Sequence, residues 1–191
     1  MSYYRSVLCV TLSASFAALA ASPRKANAQE HRHHQEAPVT KTQIAIPASI
    51  KAEHEEIHAE LVAATKASGR VGDAARALAA VLHPHFVREE QIALPPLGLL
   101  AALSRGEALP EMRAVLPMTD ALKAELPRML EEHKAIHAAT THLGEAARAE
   151  KNAAVAHLAD KLALHARSEE EVFYPAAILV GDLVRTRVSN R

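Results

Sequence analysis

Apolar residues along this chain recur at helical spacing. Between Ile50 and Thr65, the residues Ile50, Ile57, Leu61 and Val62 fall on one stripe, and Ser49 stands ready to cap it just after Pro47. Ser68-Gly69 ends this first predicted helix, and Gly72-Asp73 opens a second with Asp73 as its N-cap. The second carries Leu78, Val81, Leu82, Phe86 and Ile92. Pro84 lies inside it, and its missing N–H predicts a kink beside His85. Pro95-Pro96 stops the helix. Residues 97–118, broken by Gly106, Pro110 and Pro117, read as a long connection with one or two short helical turns, its leucines covering one end of the core. A third helix starts at Thr119-Asp120, or at Pro127 as a first-turn proline, and runs toward Gly144. Asn152 caps a fourth, which runs to Tyr174 before Pro175, and the remainder forms a short closing helix. No window alternates with period two, so no strands are expected.

Superimposed on this periodicity is an internal repeat. His54 and His58 are matched by His133 and His137, and the pair His85 and Glu89 by His165 and Glu169. Glu90 and Glu170, then Pro95 and Pro175, keep the same register. Within each pair a spacing of four puts both side chains on one helical face. Two hairpins with the same inward chemistry predict an all-α fold, an up-and-down four-helix bundle with an internal two-fold hairpin repeat.

Composition agrees with a single helical domain: of 191 residues, 49% are apolar and only 3% aromatic. The formal net charge of zero gives no footprint for nucleic acid or an anionic surface. Residues 1–28 read as a signal peptide, with Arg5 at the head, an apolar run from Ser6 to Ala21, and Ala26-Asn27-Ala28 as a cleavage site. The expectation is an exported protein, periplasmic or secreted, with no membrane association after cleavage. Arg24 and Lys25 beside that site leave an uncleaved anchor as the alternative, although the apolar run is short for a span. Cleavage removes Arg5, Arg24 and Lys25 but no acidic residue, leaving a mildly acidic chain. It also removes Cys9, the one cysteine, and with it any disulfide or thiolate ligand. Residues 29–46 form a polar, His-rich leader containing Glu30-His31-Arg32-His33-His34, read as a solvated tail. The bundle is assigned to residues 47–186.

Counting inward, the four helices offer His54 and His58, His85 and Glu89, His133 and His137, and His165 and Glu169. Imidazole and carboxylate together suit iron, zinc, manganese or copper. Eight such side chains exceed what one ion uses. Two ions, about 3.5–4 Å apart as in other dinuclear sites, can share them, with both carboxylates bridging. Glu90, Glu170 and Tyr174 are expected just outside the ligands, the phenol with its hydroxyl bonded. His83, His142 and His157 read as polar surface residues. A purely structural reading would bury six histidines on an apolar seam without partners, which is costly.

The segments "EHEEIH", "HFVREE…LP", "EEHKAIH" and "HARSEEEVFYP" resemble the hemerythrin and hemerythrin-like (HHE) cation-binding family of di-iron four-helix bundles, over residues 47 to about 180. The resemblance implies that His54 and His85 bind one iron and that His133, His137 and His165 bind the other. Glu89 and Glu169 would bridge the two Fe ions beside an oxo or hydroxo group. Zinc and manganese are the alternative metals. The final motif, His165-x-x-x-Glu169, differs from the HxxxxD of the oxygen carriers and is nearer the broader hemerythrin-like branch. His58 is an extra histidine that either completes a symmetric site or stands aside and leaves an open position. The expected function is an exported di-iron protein, a monomer or small homo-oligomer, that reversibly binds or senses a small diatomic ligand, O2 or NO. The sequence singles out no catalytic residues. The rival readings are a di-iron oxidase, ferroxidase or NO-handling enzyme, and an iron or zinc storage protein.

Overall fold

The structure, a computed structural model, describes residues 44–189. The predicted signal peptide and nearly all of the His-rich leader lie outside the described residues. Six α-helices run in the order α1 (Ala48–Thr65), α2 (Gly69–Ile92), α3 (Leu100–Ser104), α4 (Leu116–Ala149), α5 (Ala153–Ser168) and α6 (Tyr174–Ser189). Among the described residues there are no strands and no helix long and apolar enough to cross a membrane. Short turns make α1–α2 and α4–α5 two antiparallel hairpins. α1 packs on α2 and α5, and α4 packs on α2, α5 and α6, which closes a four-helix bundle.

Several helix limits differ from the sequence expectation. α2 opens at Gly69, whose φ of +71° a side chain would disfavour, so Asp73 sits inside the helix. Asp73 instead accepts from Arg76 at 2.5 Å. Pro84 and Pro127 both lie within continuous helices, and α4 begins ahead of Thr119 and runs past Gly144. Asn152 does cap α5, accepting from the Val155 N–H at 3.2 Å. Val62 and Val81, expected inside, are 40% and 38% exposed, while Ala64 and Ala75 take inward positions.

The largest difference is at Pro175, expected to end the fourth helix at Tyr174 and separate it from a short closing helix. The chain instead makes a wider π turn over Glu169–Phe173, closed by the Tyr174 N–H donating to the Glu169 carbonyl, and then continues as α6. Pro175 has no N–H to offer Glu171, and its ring would crowd that carbonyl in a regular α turn; widening the preceding turn removes the conflict. The first hairpin shows the same device in its bonds: the Ala93 and Leu94 N–H groups both donate to the Glu89 carbonyl, at 2.8 and 3.0 Å. There the chain leaves the bundle through a 3-10 turn at Pro95–Leu99.

The core is layered. One apolar cluster, including Ile57, Leu61, Leu78, Leu82, Ile136, Leu143 and Leu162, fills the hairpin-turn end. A second, including Ile92, Leu94, Leu122, Met129 and Ala177, fills the other. On α1, α2, α4 and the α5–π segment the buried polar residues His54, His85, Glu89, His133, His165 and Glu169 fall between these two clusters. The connection after α2 folds back as a cap, with Leu99, Leu103, Met112 and Val115 packed on Val180 and Val184 of α6.

Gly181 makes the approach of α6 to α4 possible. A Cβ there would stand 2.2 Å from Thr119 Oγ1 and 2.6 Å from Thr119 Cβ. Gly181→Ala is therefore expected to destabilise the fold by about 1–3 kcal/mol, the usual cost of overpacking, measured by chemical denaturation.

Candidate metal centre

Each of the four long helical segments sends one histidine into the polar layer. The α2 segment and the α5–π segment add a carboxylate four residues on. All six side chains are at most 3% exposed. Their donor atoms form two groups within metal-ligating reach: His85, Glu89, His133 and Glu169 in one, and His54, His165 and Glu169 in the other. In the first group His85 Nε2 and His133 Nε2 stand 2.8 Å apart. In the second His54 Nε2 and His165 Nε2 are 3.1 Å apart. Glu169 reaches into both, with Oε2 3.6 Å from His133 and Oε1 2.8 Å from His165 and 3.5 Å from His54.

A ring of outer carboxylates orients the imidazoles. Glu132 on α4 takes His85 Nδ1 at 2.8 Å, and Glu170 in the π turn takes His133 Nδ1 at 2.7 Å. Glu90 on α2 faces His54 Nδ1 at 3.4 Å. Glu53 on α1 lies 3.3 Å from His165 Nδ1 as a charge contact without a directed hydrogen bond. Each helix thus supports a histidine of its neighbour, and the ring closes around the bundle with the two-fold symmetry of the repeat. A neutral imidazole that donates from Nδ1 presents a lone pair at Nε2. Two such lone pairs 2.8 Å apart repel unless something positive lies between them. Glu89 Oε2 and Glu169 Oε1 are likewise buried without a hydrogen-bond partner. Lone pairs converging from imidazole and carboxylate in a dry layer fit a cation.

Protons respond to the same crowding. Burial works against the His85 imidazolium, but its contacts with Glu89 and Glu132 outweigh this and hold its pKa at about 9. Burial and the neighbouring Glu169 charge push Glu89 up to about 7. Burial resists ionisation of Glu169 too, yet His165 and His54 hold it well below the ordinary carboxylate range. Burial pulls His133 down. Burial and the Glu89 and Glu169 charges push the Tyr174 phenol far up.

The structure brings together six of the eight residues predicted to face inward. His58 and His137 are exposed and lie outside both groups. The inward stripe of α1 runs through His54, Ile57, Leu61 and Ala64, and that of α4 through His133, Ile136, Thr140 and Leu143. His58 and His137 each follow an inward isoleucine and are turned away from the axis. The His58 ring instead lies 5.9 Å from that of His83. The pairing also differs from the one implied by the resemblance. His54 meets His165 and His85 meets His133, so each hairpin contributes one histidine to each group. Glu169 is the shared carboxylate, whereas Glu89 belongs to one group. Glu90, Glu170 and Tyr174 all contact the cluster. Glu53 and Glu132 were not anticipated; the signal was present, since each directly precedes the inward histidine of its helix.

Two outcomes follow from this geometry. Glu132→Gln is expected to lower cation affinity about 10–100-fold, the usual effect of losing such a support, measured by competition with a chelator. A bound cation must also displace the protons that His85 holds below pH about 9 and Glu89 below about 7. Affinity is therefore expected to rise as pH climbs through that window, with net proton release on binding in weakly buffered titrations.

No curated protein and no solved structure matches the chain. The family model for the hemerythrin HHE cation binding domain matches residues 45–177, a span that contains all six buried donors and all four outer carboxylates. The chain belongs to the hemerythrin HHE cation-binding domain family.

Proposed function

We propose that the buried layer holds two iron ions that share Glu169, and that the protein reversibly binds or senses a small diatomic ligand, oxygen or nitric oxide. The observation that carries the dinuclear reading is the pair of facing imidazoles, with Nε2 atoms 2.8 and 3.1 Å apart and Nδ1 atoms turned to carboxylates. Each pair asks for its own cation, and one carboxylate lies within reach of both. Four imidazoles with two carboxylates form a mixed donor set that suits iron better than the oxygen-seeking calcium or magnesium. When bound, such a pair supplies a redox-active centre for small ligands.

The protein's own residues favour binding over oxidative chemistry. With only two carboxylates in the inner set, the layer compensates a ferrous pair better than more highly charged iron. The group of His54, His165 and Glu169 offers three protein donors, leaving room for an external ligand. Apolar clusters on both sides exclude water from the layer. Export belongs to this reading, on the strength of the Arg5 head, the apolar run and Ala26-Asn27-Ala28.

Metal analysis with optical spectroscopy tests the proposal. Close to two irons per chain are expected, with a spectrum that changes reversibly through repeated cycles of oxygen or nitric oxide addition and removal. Stoichiometric zinc without a chromophore would overturn it in favour of storage. Steady oxygen consumption with formation of peroxide or water would assign an oxidase instead.

A further inference from the structure

The two groups of donors are not equivalent, and the difference lies in Tyr174. Its side chain is 1% exposed, and its hydroxyl oxygen stands 3.0 Å from His133 Nε2 and 3.3 Å from His85 Nε2. It also makes a close hydrogen bond to Glu89 Oε1. We propose that Tyr174 is a metal ligand, binding as phenolate to the cation held by His85 and His133. This rests on the metal-binding reading above and adds a seventh residue to the inner set.

The geometry is that of a coordination face. The Tyr174 oxygen and the two Nε2 atoms form a triangle with edges of 2.8, 3.0 and 3.3 Å. With metal–ligand bonds of ~2.1 Å, donors on adjacent corners stand about 3.0 Å apart in an octahedron and about 3.4 Å apart in a tetrahedron. All three edges lie near that range, so one ion above the triangle can reach all three atoms. Proton counting leads to the same place. The hydroxyl has one proton, and it is directed to Glu89. A further proton on His85 can serve the contact with His133. The phenol oxygen then still faces both imidazole nitrogens without a hydrogen between them. A cation satisfies every one of these contacts.

Ligation breaks the O–H bond. The proton passes to Glu89 Oε1, which already accepts it as a hydrogen bond, leaving Oε2 as that carboxyl's free donor. The cation inverts the local field that otherwise keeps the phenol protonated. The chain delivers Tyr174 through the π turn, which places it five residues after Glu169 and closes on the Glu169 carbonyl. At the same register of the first hairpin stands Leu94, buried in the neighbouring apolar cluster. The repeat therefore supplies one phenol for two metal positions. The His54–His165 position, without one, is the more open to an external ligand.

The test uses the full protein reconstituted with ferrous iron and oxidised in air. Metal content is measured first. Wild type is expected to show a phenolate-to-iron charge-transfer band in the visible, and Raman excitation into that band should enhance tyrosinate ring modes. Tyr174→Phe should lose both while keeping its helical circular dichroism and at least one iron. Fewer than two irons in wild type would overturn the dinuclear reading, yet tyrosinate modes from a single iron would still support Tyr174. Two irons without those modes, or modes that survive in Tyr174→Phe, would overturn the Tyr174 assignment alone. Should Tyr174→Phe fail to fold, wild type labelled with ring-deuterated tyrosine decides: the enhanced modes must shift.

Discussion

Six ionisable side chains buried in one layer, with their lone pairs turned toward one another, are the constraint on which the rest of this molecule depends. Removing one partner of a buried charge pair typically costs about 3–5 kcal/mol, so such a layer survives only where every member is compensated. The outer glutamates compensate part of it by fixing Nδ1 of the histidines across helix boundaries. They also sharpen the problem, because each orienting hydrogen bond aims another Nε2 lone pair inward. Protons or a bound cation relieve this opposition, and the donor set fits the cation-binding family to which the chain belongs. The layer is thereby both the chemistry of the fold and a condition of its packing.

The surrounding architecture follows from that layer. Apolar clusters above and below it keep water out and hold the helices in register, so that donors from four segments meet at one height. The widened turns at Glu89 and Glu169 fall where the carboxylates must reach the centre, and each precedes a proline. In the first half the widened turn releases the chain into a cap; in the second it lets the helix continue and carries Tyr174 inward. A symmetric repeat thus builds an asymmetric site, through the difference between Leu94 and Tyr174.

Much of this was legible in the sequence because helical periodicity and the repeat act locally. The four-helix architecture follows from spacing alone, and His85-x-x-x-Glu89 with His165-x-x-x-Glu169 places two carboxylates inward by the geometry of one turn. His58 and His137 show where that argument stops. Spacing alone does not set which way the buried stripe steps: from His85 it steps by four to Glu89, but from His54 and His133 it steps by three. Ile57 and Ile136 take the inward position first. Which histidines meet across helices depends on how the hairpins are arranged around the axis, which no single helix encodes. Pro175 misled for a related reason. A proline forbids a regular α turn, but a π turn circumvents it, and only packing of α6 on α4 and the cap makes that route worthwhile.

Anomalous diffraction at the iron edge on crystals of the iron-loaded protein tests the account most directly. It predicts two peaks in the buried layer about 3.5–4 Å apart, one beside His85 and His133 and the other beside His54 and His165, with Glu169 touching both. A single peak, or peaks held by His58 or His137 at the surface, would contradict it.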